Sequence, residues 1–445
     1  MENNKSMEVF AKAPIRKAVL QNALPAMAAM LMVLIYNLAD TFFIGQTHDD
    51  LQVAAVSLAT PVFLLFMSVG TVFGIGGTSV ISRALGEGRK DYAKKVCSFC
   101  MWGCIAVGVL MSALFLIFMD QILALIGASA ETWDYARTYL TIVSFSGPFV
   151  LIANCYSNVI RAEGQSGKAM MGQLLGNLLN VILDPIMILV FSWNIAGAAI
   201  ATVIGNVVGA GYYIVYFLKG SSSLSISLKD FSVKEKVASG VLAIGIPATL
   251  GNLLMSLSSI LMNSQMAKYG DMAVAGVGVA MKVTMMTGMV CIGLGQGVQP
   301  LLGYCVGAKN WERYRSALKF SLIFAFSLST VLTLICYLFT GQIVSVFLTD
   351  AAYDYGVSFA HILLCTSFLF GVFYVLVNAL QARGAATESL IVNISRQGLI
   401  YIPAMLILGA FFHETGLIWA QPVADVLSLV LSIGLYFRIS DKRND

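Results

Sequence analysis

Apolar runs of about twenty residues or more recur along the whole chain, each long enough to cross the hydrocarbon core of a bilayer as a helix. Nothing else in the sequence limits the fold as strongly. In lipid every backbone N–H and C=O must find a partner within the protein, so a chain made of such runs folds as a bundle of membrane-spanning helices. Only 11% of the 445 residues are charged, whereas a water-soluble domain carries roughly a quarter. An aqueous surface cannot be built from that composition. Hydropathy places spans near 15–45, 53–82, 96–119, 132–160, 168–192 and 196–218, then near 237–267, 272–303, 316–340, 354–382, 388–411 and 416–438. The expected fold class is an all-α integral membrane protein of twelve transmembrane helices.

The formal net charge of +4 does not point to nucleic acid, because the charges are sorted by side. The loops on one side hold Arg83, Arg89, Lys94, Arg161, Arg383 and Arg396, with Lys442 and Arg443 after the last span. The opposite side carries acids such as Asp49, Asp50, Asp120, Glu131 and Asp350. Basic loops stay in the cytoplasm, so both termini are expected there, with the chain multi-pass in the cell (inner or plasma) membrane. The first apolar run has no small-residue cleavage site after it and reads as a retained span. The eight cysteines, including the CxxC of Cys97 and Cys100, lie in or beside predicted helices without a matching ligand pair. They read as small packing residues.

The chain repeats itself at an interval of about 220 residues. "ALPAMAAML" from Ala23 resembles "GIPATLGNLL" from Gly245, with Pro25 and Pro247 in corresponding places. "GIGGTSVISRALGEGRKDY" from Gly74 resembles "GQGVQPLLGYCVGAKNWER" from Gly295, and "NVIRAEG" from Asn158 resembles "NALQARG" from Asn378. The repeat unit is six helices. Six is even, so both halves start on the same side of the membrane and the repeat is parallel, an arrangement found in secondary transporters. The expected organisation is an amino-terminal six-helix lobe (1–219), a polar cytoplasmic linker (220–236) and a carboxy-terminal six-helix lobe (237–445). GxxxG spacings at Gly70/Gly74, Gly172/Gly176, Gly205/Gly209 and Gly293/Gly297 predict close helix–helix approach.

Ionisable residues inside the spans are functional candidates by default, because burying charge in lipid costs at least a few kcal/mol. Asp40, Asp184, Lys282 and Asp425 qualify. Asp40 sits in "YNLADTFFIG" beside Tyr36 and Asn37. In "GNLLNVILDPI", Asn177, Asn180 and Asp184 fall at i, i+3 and i+7 on one helix face. In the next span Ala198, Thr202 and Asn206 stack at i+4 steps. Oxygen ligands of this kind suit a hard cation such as Na⁺, and two neighbouring carboxylates could instead share a proton. A carboxylate that only ties helices together is the competing explanation. Lys282 lies near the expected midplane, either lining the path or in a structural ion pair; for Asp425 a cavity-lining and a local hydrogen-bonding role stand level. Methionines gather at Met255 and Met262 in the seventh span and at Met281, Met285, Met286 and Met289 in the eighth, as a pliable substrate surface or as ordinary core. His48, His361 and His413 are scattered, and no GxxxxGK[ST], GxSxG or HExxH motif occurs. An ATP-driven motor and a hydrolase are therefore not expected; the chain is read as no enzyme, with no cofactor beyond a coupling ion.

"LPAM…YNLADTFFIG", "GTSVISRALGEG", "IRAEGQSGKAMM", "NLLNVILDPIMI" and "IGIPATLGNLL" resemble the multidrug and toxic compound extrusion (MATE) family. "VISRALG" and "NVILDPI" look closest to its DinF-like branch, which includes MepA-type drug exporters. The resemblance implies two six-helix bundles exporting small organic cations in exchange for Na⁺ or H⁺. It implies an ion site at Asp40, Asn180, Asp184, Ala198 and Thr202, with Na⁺ touching Asp40, Asn180, Asp184 and Thr202. It also implies a cavity lined by Tyr36, Tyr139, Asn154 and Asn158; Asn37, Asn177, Asn206, Met255, Met262, Lys282 and Met286 join the expected lining from the reading of the spans. The essential glutamate that other branches carry in the seventh span has no counterpart here, where "GNLLMSLSSILMNSQMAKYG" offers only hydroxyls and amides. Coupling is thus expected in the amino-terminal half. Partners are expected to be small organic cations and membrane lipid, with no nucleic acid and no obligate protein partner. A lipid-linked saccharide flippase is the alternative, sustained by Lys282; a channel or receptor fits the duplication less well.

Overall fold

The computed structural model describes residues 2–45, 50–220, 222–348 and 350–441. His48, Asp49, Lys442 and Arg443 lie outside the described residues. The long helices are α1 (Ile15–Gly45), α2 (Asp50–Gly86), α3 (Lys90–Ile117), α4 (Trp133–Phe145), α5 (Gly147–Ala162), α6 (Ser166–Pro185) and α7 (Asn194–Leu218). They continue as α8 (Val237–Met266), α9 (Asp271–Gly307), α10 (Trp311–Leu338), α11 (Asp350–Leu364), α12 (Phe370–Ala382), α13 (Ala386–Ile394) and α14 (Tyr401–Asp441).

Among the described residues ten helices are long and apolar enough to cross a membrane, and eleven if the bent pair α4–α5 counts as one span. Two local features explain the difference from twelve. The expected fourth span turns by 59° between α4 and α5, where Gly147 and Pro148 follow one another. Gly147 is required there, since a Cβ would meet the Ser112 hydroxyl at 2.3 Å. The last two expected spans run together as Ala386–Ser440, 55 residues, which would extend about 80 Å if straight. A bilayer core is about 30 Å thick, so one crossing cannot contain it. His413, at φ 55°, breaks the run between the two expected spans.

The chain forms two compact units. One contains Met1–Ala13, Ala28–Gly245 and Gly307–Lys309; the other contains Pro14–Met27, Ile246–Val306 and Asn310–Asp445. Small residues set the helix spacing inside each. A Cβ on Gly176 would lie 2.7 Å from the Gly205 carbonyl oxygen, and one on Gly205 would lie 2.7 Å from that of Gly176. The α6 and α7 backbones therefore touch directly. In the first unit Gly70 and Gly74 bring α2 against α5, and in the second Gly293 and Gly297 bring α9 against Met27 and Ala23 of α1. The GxxxG spacings mark these approaches, as small residues do where lipid gives no hydrophobic drive to helix association.

Arg161 and Arg383, expected in loops, are buried instead. Arg161 is 1% exposed and donates to the Asn158 Oδ1 at 3.2 Å. Arg383 lies over the rings of Trp311, Tyr314 and Tyr436 at 4.9–5.5 Å. Each sits at a helix end whose last turn folds inward, so a position next to a loop does not make it a surface residue.

Residues 222–236 are held on the first unit by a buried carboxylate. Glu163, just after α5, accepts from the Tyr216 hydroxyl at 2.7 Å, from Ser222 Oγ at 2.9 Å, and from Ser223 N and Oγ at 3.1 Å. Burial pushes the Glu163 carboxyl above the ordinary carboxylate range, and these donors pull it part of the way back. Farther along, Ser98 Oγ donates to Ser227 O at 2.7 Å, Trp102 Nε1 to Ile226 O at 3.2 Å, and Lys95 pairs with Glu235 at 2.7 Å. Glu163→Ala removes the shared acceptor. Hydrogen exchange of the 222–227 amides is expected to speed up by about tenfold or more, given roughly 1.5–3 kcal/mol per bond to a charged group. Unchanged protection would show that Ser98 and Trp102 hold the segment without it.

Candidate functional site

The first unit holds a small cavity of about 60 Å³ lined by polar groups from α1, α5, α6 and α7. Helix α6 supplies Gln173, Asn177 and Asn180, and its next turn carries Asp184. These residues share a face because they step by four, three and four positions. That face is turned from lipid by the glycine contact with α7, since Gly176 and Gly205 both line the cavity. After Asp184, Pro185 lacks the N–H that would continue the helix, and residues Ile186–Val190 form a π-helical turn.

Asp184 is buried and Asp40 half-buried, and each has a buried oxygen left without a partner. Asp184 is 0% exposed, and neither of its oxygens has a hydrogen-bond partner; Asp40 Oδ1 also has none. The two lie near enough for the charge of one to act on the other. Asn180 Nδ2 donates to Thr202 Oγ1 at 3.3 Å, which leaves Asn180 Oδ1 free, and this oxygen too is buried and unpartnered. Four orphaned oxygens from three side chains thus gather at the α1–α6–α7 junction. Tyr36 lines the cavity, and Tyr139 is buried in the same unit. Ala198, fully buried one turn before Thr202, adds no polar atom.

The residues expected at this site divide by place. Tyr36, Asn154, Asn177, Asn180, Thr202 and Asn206 line the cavity. Asp40, Asp184 and Ala198 lie beyond that lining, and so does Tyr139, which is buried. Two residues do not join them. Asn37 is exposed and its Nδ2 donates to the Val33 carbonyl of its own helix at 2.9 Å, and it is not among the cavity-lining residues. Asn158 faces Arg161 and the Asn154 carbonyl instead of the cavity. Gln173 was not anticipated. It extends the Asn177–Asn180–Asp184 face by one turn, and its Oε1 is buried without a partner.

The second unit holds a larger pocket of about 220 Å³, walled by methionines of α8 and α9. Met255, Met281, Met285 and Met289 line it, whereas Met262 and Met286 pack into the neighbouring hydrophobic core. Lys282 is exposed, its ammonium 5.3 Å from the Phe347 ring centre, and does not line the pocket. Lys282 is the twelfth of the 37 residues of α9, a rise of about 16 Å from the start of the helix. Lys282→Ala is expected to change transport of any substrate by less than about twofold, as exposed substitutions do. A severalfold loss would return it to the transport path.

Arg396, expected in a loop, also lines this pocket. It sits in a π-helical turn, Ser395–Leu399, between α13 and α14, and its Nε bonds Asp425 Oδ1 at 2.8 Å. Asp425 is therefore part of a buried ion pair. No group of three or more His, Cys, Asp or Glu side chains able to hold a metal occurs among the described residues.

The MatE family matches residues 25–186 and 247–407 of the chain. Multidrug export protein MepA of Staphylococcus aureus (strain NCTC 8325 / PS 47) is 34% identical over 441 residues, covering 97% of this chain and 96% of that protein. The protein of the same name from Staphylococcus saprophyticus is 30% identical over 436 residues, with the same coverage. Among solved structures, MATE in complex with MaL6 superposes with a TM-score of 0.94 at 24% identity, covering 99% of this chain and 100% of that one. The outward-facing conformation of a multidrug resistance MATE family transporter matches with the same score and identity, covering 99% of both chains.

Proposed function

This chain belongs to the MatE family, and on that premise we propose that it exports small organic cations in exchange for Na⁺ or H⁺, with Asp40 and Asp184 as the coupling pair. It is a multi-pass multidrug efflux transporter of that family. The observation that carries the coupling proposal is the set of orphaned, buried oxygens on Asp40, Asn180 and Asp184. A buried carboxylate without donors, with an orphaned oxygen of a second carboxylate nearby, requires positive charge, and a hard monovalent cation or a proton supplies it. The donor set fits Na⁺, being made of carboxylate, amide and hydroxyl oxygens. When bound, Na⁺ would neutralise the carboxylates, with Asp40, Asn180, Asp184 and Thr202 as its holders.

The chain's own residues account for exchange. Asp184 and Asp40 give up the ion or proton only when another cation takes over their charge. Thr202 keeps Asn180 turned so that its Oδ1 faces the site, and Tyr36 forms the wall of the cavity beside it. A substrate cation and the coupling ion then compete for the same carboxylates, and the one bound biases the conformation. Six-helix lobes at 1–219 and 237–445, joined by 220–236, are the units that alternate access in this proposal; both termini lie in the cytoplasm of a cell-membrane protein. A lipid-linked saccharide flippase is the second reading, sustained by Lys282, an exposed cation within α9.

Efflux of a fluorescent organic cation from proteoliposomes tests the proposal, with Na⁺ and pH gradients imposed separately. Uphill movement under one gradient and its collapse with an ionophore are expected. Equal rates with and without either gradient would leave facilitated diffusion as the function.

A further inference from the structure

The pocket of the second unit differs in chemistry from the acidic site. Its one charged lining residue is Arg396, 7% exposed. Asp425 is fixed in place by three donors: Arg396 Nε at 2.8 Å, Gln421 Nε2 at 2.8 Å and Thr366 Oγ1 at 3.1 Å. The carboxylate thus occupies only the Nε edge of the guanidinium. On the other edge Nη1 donates to the Tyr374 hydroxyl at 3.0 Å, and Nη2 has no hydrogen bond among the described residues. The rings of Phe370, Phe373 and Tyr374 lie 4.7, 5.0 and 5.5 Å from the guanidinium carbon and restrain its plane. A second donor points the same way. Tyr401 lines the pocket, is 1% exposed, and its hydroxyl has no partner.

The pocket's serine and threonine hydroxyls are already committed as donors. Ser258 bonds the Gln397 carbonyl, Ser259 the Met255 carbonyl at 3.0 Å, and Thr284 the Met281 carbonyl at 3.0 Å. Open to a ligand are a guanidinium edge and a phenolic O–H, both donors, beside the Gln397 side-chain amide and among thioethers and the Phe370 ring. A carboxylate accepts bidentately from a guanidinium, and a planar apolar body suits methionine and phenylalanine walls.

We propose that the pocket of the second unit binds aromatic carboxylates, the carboxylate seated on Arg396 and Tyr401 and the ring against the methionines. This site uses none of the residues of the cation-coupling site and adds an anionic class to the ligands of the protein. Asp425 holds Arg396 in place when no ligand is present and keeps the empty pocket near neutral. Tyr374 is the group that the incoming carboxylate displaces from Nη1.

The test is calorimetric titration of the purified full-length protein in detergent with 2-naphthoate, and with 2-naphthylmethylamine as a cation of the same shape. Removing Arg396 alone would strand Asp425, so the double variant Arg396→Gln/Asp425→Asn keeps the pair neutral and hydrogen-bonded. It is expected to weaken 2-naphthoate by about tenfold or more, the scale of one charge-assisted contact, and to leave tetraphenylphosphonium affinity within about twofold. Tyr401→Phe removes a hydroxyl with no partner in the protein and is expected to weaken 2-naphthoate about threefold or more without lowering thermal stability. If the double variant does not fold, Tyr401→Phe decides alone. The proposal is overturned if wild-type protein does not bind 2-naphthoate, if 2-naphthylmethylamine competes for the same site with equal affinity, or if these variants bind 2-naphthoate as wild type does. Because the readout is binding, its failure leaves ion-coupled cation export to be judged separately.

Discussion

Asp40→Asn and Asp184→Asn are each expected to lower gradient-driven efflux of an organic cation by about 5- to 150-fold, the range of a coupling free energy of about 1–3 kcal/mol. Asparagine is nearly isosteric and fills the same space, so the fold should survive. What it removes is the charge that makes the ion and the substrate compete. Asp184→Asn should have the larger effect, because both Asp184 oxygens are buried without partners and so depend most on a bound cation or proton. The double variant should be no worse than the stronger single one, since two members of one site act together. The measurement is the initial rate in proteoliposomes at equal protein content, with monodispersity confirming the fold. Wild-type rates in both single variants would remove these aspartates from the coupling site.

Gly176→Leu is expected to prevent assembly of the first unit. The added Cβ alone would stand 2.7 Å from the Gly205 carbonyl oxygen, which is backbone and cannot rotate away. Overpacking by a methylene or two costs about 1–3 kcal/mol in a core that can shift. A leucine at a backbone-to-backbone crossing must part α6 from α7 altogether, carrying Asn180 away from Thr202. Little monodisperse protein should be recovered, and what is recovered should lose substrate binding. Gly211→Ala on α7 is the control, because a Cβ there meets nothing within 4 Å. It should behave as wild type or be slightly stabilised by its better helix propensity. A Gly176→Leu protein with wild-type melting and transport would mean that the two helices need not touch.

The sequence was most legible where lipid is least forgiving. Apolar runs announced the helices, and charges within them announced Asp40 and Asp184, because such residues have so few tolerable places. The periodic face of Asn177, Asn180 and Asp184 read directly as a polar wall, and its extension to Gln173 was visible in the same spacing. Two kinds of information were not legible. The bend at Gly147–Pro148 and the break at His413 depend on what packs around them, and hydropathy averages over both. Arg161, Arg383 and Arg396 were assigned to loops by counting basic residues near span ends. Their burial depends on partners distant in sequence, such as Asp425 for Arg396 and the rings of Trp311, Tyr314 and Tyr436 for Arg383.

The central claim is that ion and substrate exchange on the same two carboxylates. Calorimetric titration of tetraphenylphosphonium into the detergent-solubilised protein tests it most directly, repeated in buffers of different ionisation enthalpy and with and without Na⁺. Binding is predicted to release a proton or to weaken with rising Na⁺, and Asp184→Asn is predicted to abolish that linkage. Binding that is independent of pH, buffer and Na⁺, or linkage that persists in Asp184→Asn, would contradict the account.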